Sequence, residues 1–378
     1  MAEFLEKSLP PTANLPQHLK IDHGVEEEVA SEKDEYTYRC LLPPRPSNIL
    51  THDISRITTS QSSGDTQHRH TNGRRYHTFQ EDAYFLPNDT LETARLDLQH
   101  YTWKLTLNGH LSIVPIHPTE RQSILEIGTG TGIWCIEVAQ AHPNVEVIGT
   151  DLSAIQPETK PGNCRFVQAN AEEEWDFGGT KFDFVHSRML TMGMHDWPKY
   201  FERCWENLKP GGWIQTGETQ FPQKRAEEEE GDPSPSRLLK WGQYCYDAAA
   251  KAGINVRASE GFEEMLKKQG FVNVQTYELQ WPIGTWAKGR REKVIGRLTL
   301  ENMGKAVPGI GMGLLGEGLG WTKEEVEVFS EEVKADMERG RYYVPMVFHV
   351  AQKPFEAQKL SMAPAGVSKN RLSSKAGR

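Results

Sequence analysis

One stretch restricts the fold more than any other: Ile124-Leu-Glu-Ile runs straight into Gly128-Thr-Gly-Thr-Gly132, and residues 133–141 then take up a helical pattern. A short apolar strand passing through alternating glycines into a helix is the opening unit of an open α/β sheet. Glycines at such a turn let the backbone approach a bound ligand where any β-carbon would push it away. The spacing is Gly-x-Gly-x-Gly, with Ile133 where a dinucleotide fingerprint has its last glycine, which argues against NAD.

Strand and helix signals then alternate, as expected for a parallel sheet covered on both faces. Strands are expected at 145–150, 164–167, 182–186, 213–216, 271–281 and 342–352, with helices at 198–208, 236–252 and 259–269. Lys209-Pro-Gly-Gly should turn the chain between a helix and a strand. Asn88-Asp89 with Glu92 predicts a helix start ahead of the glycine loop. Thr322 with Glu325 predicts a capping box, after which Val326, Phe329, Val333 and Met337 mark one helical face that Gly340 ends. The fold class is therefore α/β, a doubly wound, mostly parallel sheet with helical additions at the N-terminal side and over the site.

The candidate site follows from strand ends. Glu126 lies two residues before Gly128, where a carboxylate fixes the loop or faces a cationic amino group. Asp151 and Leu152 end the next strand, 23 residues after Gly128, where an acid accepts hydrogen bonds from both ribose hydroxyls. Asn170, Ala171 and Glu172 follow the third strand and offer acceptors to an adenine amino group. His186, Ser187 and Arg188 follow the fourth, at the carboxyl edge where open sheets bind ligands. His186 and His195 are the candidate general bases, because imidazole titrates near neutral pH. Trp197, Trp241, Tyr244 and Trp281 are candidates to line a pocket for a second substrate, with residues 220–252 as its lid.

A formal net charge of −9 disfavours direct nucleic-acid binding. Cys40, Cys135, Cys164, Cys204 and Cys245 stand far apart in sequence without metal-ligand spacing, so they read as reduced intracellular thiols and no metal is expected. His52, His68, His70 and His77 read as solvated. No signal peptide or membrane span is expected. Residues 1–75 are expected to be disordered, 76–354 to form one domain, and 355–378 to be a disordered basic tail suited to nuclear entry of an otherwise cytoplasmic protein. The glycine-rich run from Pro308 to Gly320 reads as a mobile loop.

Gly128-Thr129-Gly130-Thr-Gly132, Asp151, Phe182-Asp-Phe-Val-His-Ser-Arg188 and Leu208-Lys-Pro-Gly-Gly-Trp213 together resemble the motif series of class I methyltransferases. The likeness is closer still to the fungal LaeA-like group: Pro87-Asn-Asp-x-x-Glu92-x-x-Arg95-Leu-Asp-x-x-His100, Gly132-Ile-Trp134 and Asp151-Leu-Ser-x-Ile-Gln-Pro157 match its pattern. This resemblance implies a seven-stranded, Rossmann-like sheet that binds S-adenosylmethionine, in a protein of secondary metabolism. Three roles stay open: a methyltransferase for a small-molecule acceptor, a nuclear regulator with a velvet-type partner, or a non-catalytic cofactor-binding partner. Relatives often carry an acid where this chain has Asn170, which implies weaker cofactor binding.

Overall fold

The computed structural model describes residues 68–71, 74–77, 87–117, 120–226 and 236–355. The first element is a two-stranded antiparallel ribbon, β1 (His68–Thr71) and β2 (Arg74–His77). It begins ahead of Tyr76, the point from which order was expected, and includes it; most of 1–75, and all of the tail except Phe355, lie outside the described residues. The ribbon is pinned to the start of the next helix. Arg74 Nη2 donates to Asp89 Oδ1 at 3.1 Å, and Arg75 Nη2 donates to the Asn88 carbonyl at 2.6 Å.

Helix α1 (Thr90–Thr106) begins where Asp89 accepts the Glu92 amide. The sheet then builds from β3 (Gln122–Ile127), helix α2 (Ile133–Ala141), β4 (Val145–Asp151), β5 (Cys164–Gln168), β6 (Phe182–Arg188), helix α3 (Trp197–Asn207) and β7 (Leu208–Thr219). A two-residue β8 (Lys224–Arg225), α4 (Arg237–Lys251), α5 (Phe262–Gln269), β9 (Val272–Ile283), α6 (Arg290–Gly311), α7 (Lys323–Arg339) and β10 (Tyr342–Gln352) complete it. The strand order is β5-β4-β3-β6-β7-β10, with β9 along the far edge of β10 and β8 extending the β7 edge. Strands β3 to β7 are parallel, and β10 runs antiparallel to all its neighbours. Seven strands are those expected, and the short β8 makes an eighth.

Side chains alternate across the sheet, as the pleat requires. Ile124 joins one core with α1, α2, α4, α6 and α7, while Leu125 and Ile127 join the other with α3 and α5. The order reverses between β3 and β6, so a crevice opens at the carboxyl ends of these strands, the topological switch point of an open sheet.

Two expectations fail for packing reasons. Lys209-Pro-Gly-Gly does not separate helix from strand: β7 starts at Leu208, and the glycines sit at an irregularity in its pairing with β6. The run 308–320 is not a loop. It continues α6 into a π-helical segment, Met312–Gly318, because Leu314 and Leu315 are buried and Gly311 lies so close to Val326 that a β-carbon would press on it. Burial there overrides the weak helix propensity of glycine. The capping box is present in both directions, with Glu325 N donating to Thr322 Oγ1 at 3.2 Å and Thr322 N to Glu325 Oε2 at 2.8 Å. Thr322→Ala should cost about 1 kcal/mol in urea unfolding; a midpoint identical to wild type would show that the cap contributes nothing.

Candidate active site

The glycine loop is a backbone cradle. Gly128, Gly130 and Gly132 all adopt positive φ (69°, 56° and 78°), a region closed to most L-residues. A β-carbon at Gly132 would overlap the ring of Phe166 on β5, and one at Gly128 would overlap Leu190. Side chains fix the loop from below: Thr129 Oγ1 donates to Glu126 Oε2 at 2.7 Å, and Thr131 Oγ1 to Asp97 Oδ1 at 2.7 Å. Gly132 then caps α2 and faces Phe166, so it shapes the loop without lining the crevice.

Of the residues singled out in sequence, Glu126, Gly128, Thr129, Gly130, Asp151, Leu152, Asn170, Ala171 and Arg188 come together around one cleft. Asp151 Oδ2 accepts the Gly130 amide at 2.8 Å and Oδ1 the Ser153 amide at 2.9 Å, which fixes the carboxylate at the cleft wall. Asn170 Oδ1 accepts the Glu172 amide at 2.8 Å.

The remaining candidates are elsewhere. Ser187 is buried and bonded to the Tyr200 hydroxyl at 2.8 Å. Glu172 does not face the cleft: its Oε1 accepts the amides of His195 (2.7 Å) and Asp196 (2.9 Å), and its Oε2 lies 2.9 Å from His195 Nδ1. It braces the entry to α3, and His195 is the half-exposed partner of that brace. His186 has no exposed surface; it stacks on Trp134 at 3.9 Å with Nδ1 3.4 Å from Glu126 Oε1. Burial pushes its pKa down to about 4, against the pull of Glu126. Neither expected base therefore reaches the cleft.

Trp197, Trp241 and Trp281 are core, and the half-buried Tyr244 packs against it. Trp197 packs on Phe262, Trp241 near Phe221, Tyr244 on Trp321 and Phe329, and Trp281 on Trp103. No described residue of 220–252 lines the cleft. Cys135 and Cys164 are both buried free thiols, and Cys135 Sγ donates to Glu126 Oε2 at 3.1 Å.

What the sequence reading missed is the wall opposite the glycines. Helix α1 presents Glu92, Leu96, Gln99, His100 and Trp103 to the cleft, a stripe at helical spacing. The spacing is readable, but its residues are mostly polar, so a search for an apolar face passes over them. Glu92 is clamped by Arg95 at 2.9 and 2.6 Å. Asn88 spans the cleft mouth, its Nδ2 3.4 Å from Ser153 Oγ.

Beneath lies a buried polar network. Burial pushes the Glu126 carboxyl up, but its contact with His186 and the charge of Arg188 outweigh this and hold it below the usual range. Glu218 on β7 accepts the amides of Leu190 and Thr191 (3.2 and 3.0 Å) and the Thr191 hydroxyl (2.7 Å), holding the chain just past Arg188. Burial lifts its pKa to about 7 despite those bonds. Between these anchors Met189, in the cleft wall, takes a left-handed φ of 59°.

A cradle that admits only backbone, a fixed acid on the second strand and a cation on the fourth fit a nucleoside joined to an amino acid. The family model described as a methyltransferase domain matches residues 96–276. Methyltransferase pytC of Aspergillus terreus is 34% identical over 80% of this chain and 93% of its own length. The chain is a LaeA-like methyltransferase. The secondary metabolism regulator LAE1 of Cochliobolus heterostrophus is 35% identical over 60% of this chain and 74% of its own. The protein-methionine methyltransferase laeA of Emericella nidulans is 28% identical over 78% and 79%. More distantly, phosphoethanolamine N-methyltransferase 2 of Haemonchus contortus, solved with S-adenosyl-L-methionine, is 19% identical over 69% of this chain and 57% of its own, with a TM-score of 0.41. As a LaeA-like methyltransferase, the chain uses S-adenosylmethionine as its methyl donor.

Proposed function

We propose that this LaeA-like methyltransferase transfers a methyl group to a small-molecule acceptor in secondary metabolism. The observation that carries the reading is the near full-length match to a methyltransferase, pytC, together with a cleft in which Glu126, the glycine loop, Asp151, Asn170 and Arg188 converge. Asp151 would take the ribose hydroxyls, the Asn170–Ala171 turn the adenine, and the Glu126–Arg188 end the amino-acid portion. The bound sulfonium supplies both the methyl group and the leaving group.

The protein's part is orientation, worth roughly 7–11 kcal/mol for a well-aligned pair. His186 and His195 lie outside the cleft, so transfer is assigned to placement of an acceptor that brings its own lone pair. We propose a cytoplasmic location, with the nucleus as the alternative that goes with a regulatory role.

Asn170→Asp tests the adenine placement. A carboxylate keeps the Glu172 amide bond and offers a charged acceptor, so S-adenosylhomocysteine should bind about fivefold more tightly; unchanged affinity would move the adenine elsewhere. The acceptor class is tested with methyl-labelled S-adenosylmethionine and an extract of the protein's own cells. Label in the organic-soluble fraction is the expected result. Label confined to precipitated protein would instead support the regulatory role carried by LAE1 and laeA, in which a velvet-type protein is the partner to seek.

A further inference from the structure

Arg188 ends β6 in the cleft wall, and among the described residues its one hydrogen-bond partner is His100, whose Nδ1 lies 3.3 Å from Arg188 Nη2. A guanidinium only donates. His100 therefore accepts through Nδ1 and carries its proton on Nε2. That nitrogen lies 3.3 Å from Glu137 Oε2 without meeting hydrogen-bond geometry, and the same carboxylate is held by Lys104 at 2.7 Å. Burial first, and then Arg188, push the His100 pKa down, with Glu137 and Glu126 opposing. The charged and titratable groups around the ring are Asp97, Tyr101 and Lys104 on its own helix, Glu137 on α2, Glu126 on β3, and His186 and Arg188 on β6.

We propose that His100 is a positioning residue: seated against Glu137 on α2, it aims the Arg188 guanidinium at the carboxylate of the cofactor's amino-acid end. This rests on the reading of the cleft as the S-adenosylmethionine site. His100 uses only part of the guanidinium's donor set, and a carboxylate takes the remaining N–H groups in paired, charge-assisted bonds. Glu126 Oε1, 3.7 Å from Arg188 Nη2, lies beyond hydrogen-bond distance and faces His186 Nδ1 at 3.4 Å, while its Oε2 takes Thr129 and Cys135, so it leaves room for that geometry. Three elements, α1, α2 and β6, thus cooperate to orient one cation. A carboxylate on the acceptor would suit the same cation, and two nucleosides separate these sources.

Calorimetric titration of S-adenosylhomocysteine and of 5′-methylthioadenosine, which lacks the amino-acid end, is run on wild type, His100→Ala and His100→Asn. His100→Ala should weaken S-adenosylhomocysteine by about tenfold or more and 5′-methylthioadenosine by less than about twofold. His100→Asn, whose side-chain oxygen stands near the position of Nδ1, should recover most of the loss. Because burial and Arg188 hold the ring below the ordinary imidazole value of 6.5, protonation of that lone pair should weaken only S-adenosylhomocysteine as the pH falls below that value, and the slope should vanish in His100→Asn. Equal weakening of both nucleosides by His100→Ala would make the histidine merely structural. No weakening of either would show that His100 does not aim Arg188 at the cofactor's carboxylate. Both results overturn the inference while leaving the cofactor reading intact, because 5′-methylthioadenosine binding by wild type tests that reading separately.

Discussion

Asp151→Ala lowers the affinity for S-adenosylhomocysteine by about 2–4 kcal/mol, roughly 30- to 1,000-fold, with the fold retained. The carboxylate is the fixed acid of the cleft: one oxygen holds the Gly130 amide and the other the Ser153 amide. Each carboxylate oxygen accepts more than one bond, so both keep capacity for a ribose hydroxyl. A charge-assisted bond of this kind contributes about 1.5–3 kcal/mol, and the alanine also releases the amide that sets the glycine loop. Asp151→Asn should fall between the two, since it keeps one acceptor oxygen without the charge. Calorimetry measures the affinity and circular dichroism confirms the fold. Unchanged affinity in the alanine variant would remove the ribose from Asp151.

The second large effect is on stability in acid. His186 has no exposed surface and His349, on β10 beside the Phe262 ring, is 3% exposed. Burial pushes both pKa values down to about 4, with Glu126 opposing for His186 and Glu263 for His349. A depressed folded-state pKa means that stability is fully present above the unfolded value near 6.5 and is lost as the pH falls through about 4. Each histidine then accounts for about 3 kcal/mol of that loss. Glu218 acts in the opposite sense. Its carboxyl is lifted to about 7, so its contribution is full below the unfolded value of 4.5 and disappears as the pH rises through 7. Wild type therefore shows the histidine loss partly offset, and the clean quantity is the difference from a variant. His186→Asn combined with His349→Gln should flatten the acid limb of urea-unfolding stability by about 6 kcal/mol, whatever its stability at neutral pH. An acid limb unchanged in the double variant would show that neither ring is held neutral by the fold.

The glycine loop and Asp151 were legible in sequence because their constraints are local. A positive φ at Gly132 and a carboxylate one strand on are demanded by the backbone path itself. The Thr322 box is local in the same way. Roles that depend on what a side chain meets across the fold were not legible. Glu172 and Asn170 stand two residues apart, yet one braces α3 while the other lines the cleft. His186, expected just past the fourth strand, lies within β6 and stacks on Trp134. His100 was visible only as part of a motif, because its pairing with Arg188 spans 88 residues of sequence and rests on α1 crossing the mouth of the sheet. Glycines 309 to 318 read as a loop by propensity, and packing against α7 and the residues near Pro87 made them helix.

The most direct measurement is a crystal structure of the protein grown with S-adenosylhomocysteine. Density should place the ribose hydroxyls on Asp151, the adenine against Asn170 and Ala171, and the amino-acid carboxylate on Arg188, with the thioether over the glycine loop. A nucleoside bound outside this cleft, or turned with its adenine at Arg188, would contradict the assignment of the site.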